Sequence, residues 1–290
     1  MNNKLILGTA QFGMDYGINN TRGKIPQTEV FEILNRALEA KIDVLDTASA
    51  YGESEEAIGT FMKKRKRILK IVSKFYQSNT RKASAIFNSS LEKLGIDKFY
   101  GYLVHNFGQY KEDPDIWGVL RELKSSGKVG KIGFSLYSPC ELDYLFENKL
   151  DIDIVQLPYS VFDHRFESYF TILKEKGIEI HVRSAFLQGL VFMQPDNLPE
   201  YLVKAEDYVR SLQSISTDSG ISISALCLDF VLVNPCVDRV IIGVDSLKHL
   251  NENLANIDSF KKIESVYYSK LDKLAISDEN LILPYRWGKN

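Results

Sequence analysis

The sequence predicts an α/β fold: a (β/α)8 barrel of the TIM type, one domain over residues 1–290. Three observations carry that prediction. Eight short apolar segments recur along the chain with helix-length intervals between them. Several are near-continuous Val/Ile runs rather than alternating ones, as expected of parallel strands buried on both faces. No linker or low-complexity stretch divides the chain, and it lacks the GxGxxG turn that an open doubly wound sheet normally carries after an early strand.

The predicted strands are KLILG (4–8), IDVLD (42–46), ILKIVSK (68–74), YGYLVH (100–105), KIGFS (131–135), IDIVQL (152–157), IEIHVRS (178–184) and RVIIG (239–243). After the first, TEVFEILNRALEA (28–40) puts Val30, Leu34, Ala37 and Leu38 on one helical stripe. Ser54, with Glu55 and Glu56 behind it, is expected to cap SEEAIGTFMKK (54–64). The basic stretch KKRKRILK (63–70) reads as the solvated end of that helix rather than a functional patch. Segments 81–94, 114–126 and 138–146 repeat the helical period, with Gly95, Gly127 and Gly177 as expected C-terminal stops. The longest interval, before the eighth strand, holds a Pro-containing loop (194–199) and two helices. The second, 222–232, is apolar on most sides and so expected to be buried.

Composition narrows the function classes. The hydrophobic fraction of 44% allows a large core, and a net charge of −2 gives no reason to expect nucleic acid. Three cysteines without a CxxC argue against a disulfide framework or a structural zinc site and suit a reducing cytosol. Cys227 and Cys236 lie in apolar surroundings and read as buried small hydrophobes. The first apolar run is too short for a signal peptide, and no segment approaches the roughly 20 apolar residues of a membrane helix. The expectation is a cytoplasmic protein with no membrane partner; nothing in the sequence specifies an oligomeric state.

Active sites of such barrels form where the strands exit, at their C-terminal ends. There the second, third and fourth segments end on Asp46, Lys74 and His105, with Tyr51 in the loop after Asp46. Each has an ordinary reading: a helix cap, an outward-snorkelling lysine, a core histidine, a packed ring. Together they form a coherent chemical group. A buried lysine needs a carboxylate, and Asp46 is the obvious one. A nearby ammonium stabilises phenolate, so Tyr51 is expected to have a lowered pKa and to act as a general acid. A neutral His105 can donate a hydrogen bond that orients a carbonyl.

On these residues the chain resembles the aldo-keto reductase superfamily. The matching pieces are LGTAQFG (7–13), DTASAYGESEEAIG (46–59), SK (73–74), the histidine of LVH (103–105) and GKVGKIGFS (127–135). VQLPY (155–159), RSAFLQGL (183–190) and IIGVDSLKHLNENL (241–254) complete the set, in order from end to end. The resemblance implies NAD(P)H-dependent reduction of a carbonyl, with a tetrad at Asp46, Tyr51, Lys74 and His105. Hydride passes from nicotinamide to carbon, and Tyr51 protonates oxygen. It also implies that Gly8, Thr9 and Ala10 line the nicotinamide end, and that Ser135 and Gln156 hold its carboxamide. Ser184, Phe186, Leu187 and Gly189 would run under the pyrophosphate. The segment from Gly243 to Asn253 would cover the adenosine half, with Glu252 and Asn253 reading adenine. At Gly8 and Gly243, simple turn geometry is the ordinary reading.

Three departures from the family pattern stand out. Leu136 replaces an asparagine, so one carboxamide contact is lost or replaced. Arg183 replaces an aromatic ring beneath the nicotinamide; its plane can stack there too, or it can hold an anionic group on the substrate. The last loop carries Asp245, which suits a ribose hydroxyl better than the 2′-phosphate of NADP, beside Ser246, Lys248 and His249. Family frequency favours NADP(H), with NAD(H) as the alternative. The loops after His105 and Gly189 are short, which suggests an open mouth and a polar or bulky small-molecule carbonyl substrate such as a sugar derivative. Phe12, Met14, Tyr76, Phe107, Phe162 and residues 285–287 are candidate pocket residues, with ordinary packing as the equal alternative. The runner-up function is a non-catalytic NAD(P)-binding regulatory subunit, as in the potassium-channel β-subunits of this fold. A metal-dependent barrel hydrolase lacks support, since His105, His164, His181 and His249 include no HxH pair.

Overall fold

The computed structural model describes residues 4–76, 79–258 and 263–288. All eight expected strands form and close into one barrel in chain order. They are β1 (Leu5–Gly8), β2 (Val44–Asp46), β3 (Lys70–Phe75), β4 (Phe99–Val104), β5 (Val129–Ser135), β6 (Ile154–Pro158), β7 (Glu179–Arg183) and β8 (Arg239–Ile242). Every pairing is parallel, and β8 closes on β1 through Leu5 with Val240, Ile6 with Ile241 and Leu7 with Ile242.

The period of two then sorts the side chains. Ile6, Val44, Val72, Leu103, Ile154 and Ile241 form a cluster of their own inside the barrel, while Leu5, Leu7, Leu45, Ile71, Tyr102, Val155 and Ile180 join the main core under the helices. Two residues past each inner residue, on the same face, stand Gly8, Asp46, Lys74, His105, Gln156 and Gly243. The apolar filling therefore stops one pleat below a polar rim. This is why the strand exits carry the chemistry.

The helices follow the sequence with instructive exceptions. Gln27–Glu39 buries Val30, Ile33, Leu34 and Ala37. Ile33 takes the place expected of Leu38, which is only partly buried against the core. Gly95, Gly127 and Gly177 end their helices at φ of 66°, 75° and 71°. The basic run after Met62 is exposed, with Lys66 left-handed at the helix end. Ile223–Leu232 is the buried helix that its composition predicts. Cys227 is buried, whereas Cys236 is only partly so and Cys140 is exposed. Among the described residues no single helix is long and apolar enough to cross a membrane.

Ser54 is not a cap. Glu53 holds that position, and the Ser54 hydroxyl lies 2.9 Å from both Thr9 O and Thr9 Oγ1. The amide of Ser54 bonds to Tyr51 O, so the helix starts inside the Tyr51 loop, and its first hydroxyl is spent tying that loop to the exit of β1.

Candidate active site

Asp46 ends β2 and Lys74 is the penultimate residue of the adjacent β3, and both side chains are buried. Lys74 Nζ donates to Asp46 Oδ1 at 2.6 Å, to Thr47 O at 2.9 Å and, at 3.5 Å, to the Tyr51 hydroxyl. Those three contacts account for all three ammonium donors. The second carboxylate oxygen, Asp46 Oδ2, accepts from Gln156 Nε2 at 2.7 Å. Removing either charge would strand the other, at about 3–5 kcal/mol.

Tyr51 owes its place to two glycines. A Cβ on Gly13 would fall 1.9 Å from Tyr51 O, and one on Gly52 would fall 2.3 Å from Gly13 O. Gly52 is also left-handed, at φ 53°. The β1 exit and the Tyr51 loop thus touch backbone to backbone, which aims the phenol back over Lys74. The ammonium lies 5.1 Å from the ring centre.

The expected lowering of the Tyr51 pKa is not what the site produces. Burial pushes the phenol up, and the charge of Asp46 and the neighbouring Tyr137 add to it, with Arg183 alone pulling down. Desolvation is the largest of these effects. Tyr51 is a protonated donor. His105 packs edge-on to Tyr51 at 5.7 Å and to Tyr76 at 5.5 Å. Burial, then Lys74 and Arg183, bring its imidazole down to about 3, so it is neutral at working pH. Its Nδ1 has no partner among the described residues.

Beside this group opens a cavity of about 340 Å³, within the usual range for small-ligand sites. Its walls include Asp46, Tyr51 and most of the expected cofactor residues: Gly8, Thr9, Ala10, Gln156, Arg183, Ser184, Phe186, Leu187, Gly189, Gly243, Asp245, His249, Glu252 and Asn253. Ser135, Ser246, Lys74 and His105 are not among its lining residues. Lys74 acts from behind Asp46 and Tyr51. Ser246 Oγ accepts the His249 amide at the start of helix Leu247–Asp258, an ordinary capping role. Thr9 donates its hydroxyl to Asp46 O. Gly8 and Gly243 are not left-handed turns. A Cβ on Gly243 would press on Gln11 at 3.0 Å, and one on Gly8 on Ile241 at 3.2 Å, so these residues keep the cavity open.

After β7 the chain holds Ser184, Leu187, Gln188 and Gly189 at φ of 66°, 42°, 53° and 94°. Left-handed non-glycine residues cost on the order of 1–3 kcal/mol each and cluster at ligand clamps. This clamp has a second strand of chain against it that the sequence did not reveal. Ile18 N donates to Gln188 O at 3.1 Å, Gln188 Nε2 reaches the Tyr16 hydroxyl at 3.2 Å, and Asn19 closes on Gly189. Tyr16, Gly17, Asn19, Asn20, Gln11, Phe192 and Ser224 thereby join the lining. Gln11 also reaches Asp245 Oδ1 at 3.4 Å across the cavity. Of the candidate pocket aromatics, Phe12 and Phe162 are core, and Phe107 packs on Tyr110, Phe134 and Tyr144. Tyr76 and Tyr285 remain exposed near the rim.

One cavity thus has a protonated phenol and a strained left-handed backbone turn in its lining. Residues 4–276 match the family model described as Aldo/keto reductase family. The chain belongs to the aldo/keto reductase family. This aldo/keto reductase is 23% identical over 254 residues to "Uncharacterized oxidoreductase YqkF" of Bacillus subtilis, covering 79% of this chain and 82% of that one. It is 25% identical over 259 residues to "Aldo-keto reductase yakc [NADP(+)]" of Schizosaccharomyces pombe, covering 76% and 75%. In fold it resembles aldo-keto reductase AKR11C1 from Bacillus halodurans, holo form, with a TM-score of 0.76 at 21% identity over 96% and 95% of the two chains.

The His105 environment has a measurable consequence. Its folded pKa lies below the unfolded value, so the unfolded chain binds more protons between the two. The stability that this neutral ring contributes is complete above about pH 6.5 and is lost as pH falls toward about 3. Between pH 7.5 and pH 5, urea unfolding of the wild type should lose roughly 1–2 kcal/mol more than His105→Gln does. Parallel losses would show that the ring is not held neutral.

Proposed function

We propose that this oxidoreductase reduces an aldehyde or ketone to the alcohol, with Tyr51 as proton donor. A bound reduced nicotinamide would supply the hydride to the carbonyl carbon. Tyr51 gives its proton to the carbonyl oxygen as negative charge develops there, and recovers one from solvent afterwards. Lys74 and Asp46 hold the phenol in place. His105, held neutral, is suited to orient the carbonyl by a hydrogen bond rather than to protonate it. Oxidation of the alcohol uses the same groups in reverse. The observation that carries this reading is the Lys74 ammonium shared between Asp46 and Tyr51 at the edge of the cavity. A cytoplasmic setting rests on the sparse, unpaired cysteines.

The 184–189 clamp suits a diphosphate, and the wall from Gly243 to Asn253 suits an adenosine. NADP(H) is the cofactor that family frequency and the name of the fission-yeast relative support. Asp245 limits that preference, because its carboxylate lines the cavity while Lys248 is largely exposed and pairs with Glu252.

Two outcomes follow. Tyr51→Phe should lower kcat by about 10³-fold or more, with dinucleotide affinity changed by less than about threefold. Retained turnover would remove the proposed proton donor. A wild type that binds dinucleotide yet reduces no carbonyl would favour the regulatory-subunit reading instead. Separately, Asp245→Asn should improve the affinity for NADPH relative to NADH by roughly fivefold, read by fluorescence titration. An unchanged ratio would mean that the carboxylate does not face the 2′ position.

A further inference from the structure

Arg183 is the inner-facing residue at the exit of β7 and lines the same cavity as Tyr51, Asp46 and Gln156. Its guanidinium carbon lies 4.1 Å from the centre of the Tyr137 ring, and Tyr285 braces that ring edge-on at 4.9 Å. Nη2 donates to Leu136 O at 2.8 Å, and Nη1 reaches Ser184 Oγ at a weak 3.4 Å. A guanidinium has five N–H donors. Two are engaged, so three have no acceptor among the described residues.

No carboxylate pairs with Arg183 among the described residues. Glu141, whose carboxyl feels the Arg183 charge, spends Oε2 on the amides of Tyr137 and Ser138. Arg165 shows what this chain does with a shielded guanidinium that has a structural task, since Asp163 and Glu279 both grip it. Arg183 is instead a partly buried cation that lies over a ring and lines a cavity. Such a charge is costly until an anion meets it. The planar fork suits bidentate pairing with a carboxylate or a phosphate. Tyr16, on the same cavity wall, accepts from Gln188 and so keeps its O–H free to donate.

We infer that the carbonyl substrate carries an oxyanion, a carboxylate or a phosphate, and that Arg183 binds it. This rests on the reductase reading above and narrows the substrate class to anionic aldehydes or ketones. Arg183 is then the specificity residue: it discriminates charged from neutral carbonyls, while Tyr51 performs the same proton transfer on both. Leu136 belongs to the same arrangement, because its carbonyl fixes one edge of the fork and leaves the other edge to the ligand.

The test uses full-length protein saturated with NADPH and substrate pairs that differ only in the anion: 4-carboxybenzaldehyde against benzaldehyde, and succinic semialdehyde against butanal. The wild type should favour the anionic member in kcat/KM by roughly 10- to 100-fold, the range spanned by hydrogen bonds to charged groups. Arg183→Leu should bring that ratio close to one, mostly through KM, and Arg183→Lys should retain part of it. A wild-type ratio near one, or equal losses on both members, would overturn the inference. A second measurement does not depend on turnover: benzoate and benzyl alcohol are titrated against the NADPH-bound protein by cofactor fluorescence. Benzoate binding should weaken at least about tenfold in Arg183→Leu, with benzyl alcohol little changed. If no aldehyde is reduced but benzoate still requires Arg183, the reductase reading fails and the anion site stands. If benzoate binds both proteins equally, the anion site fails whatever the turnover.

Discussion

The buried contact between Lys74 and Asp46 is the constraint on which the rest of the site depends. An ion pair so deep contributes little net stability, because the desolvation of two charges offsets most of their attraction. A pair of well-packed aliphatic residues would fill the same space at no greater cost. What the pair provides is position. The ammonium has one donor left after Asp46 and the Thr47 carbonyl, and it points at Tyr51. The carboxylate has one oxygen left, and it holds Gln156, on the other side of the barrel rim. Residues from three strands and a loop are fixed relative to one another by four polar contacts.

The barrel makes such an arrangement affordable in strain. Each rim residue sits one pleat above a tightly packed aliphatic one, so its backbone cannot shift without opening the inner cluster. Beside the rim the chemistry changes. Where the chain leaves β7 it is left-handed at four positions and leans on residues 16–20 for support. Rigid strands thus carry the proton donor and its supports, while a strained loop held by another loop forms the clamp. Arg183 stands at the boundary between the two, the last residue of the strand and the first with an unmet charge.

Much of this was legible in the sequence, and the reasons are physical. Buried parallel strands need Val/Ile runs, so the eight strands announce themselves. The tetrad is legible because each member follows directly on such a run, or lies within five residues of one. Burial depth is not written in a local pattern. It reverses the expected shift at Tyr51, where desolvation, with the Asp46 charge adding to it, pushes the phenol up. Contacts between distant loops are equally hidden: Tyr16 and Gln188 are 172 residues apart and belong to no shared motif. Ser54 misleads for a related reason, since its helix-start position invites a cap while the fold gives its hydroxyl to Thr9. The oddity of Arg183 is visible in sequence, but its contact with Tyr137, in the loop after β5, a strand that does not pair with β7, is not.

Asp46 and Lys74 act as one unit. A double-mutant cycle on urea unfolding, with Asp46→Asn, Lys74→Met and the two combined, measures that directly. The combined variant should be more stable than the sum of the single losses implies, by about 2 kcal/mol or more, because the second change removes a partner already stranded by the first. Additivity to within about 0.5 kcal/mol would instead mean that the two side chains are independent neighbours and do not act as a pair.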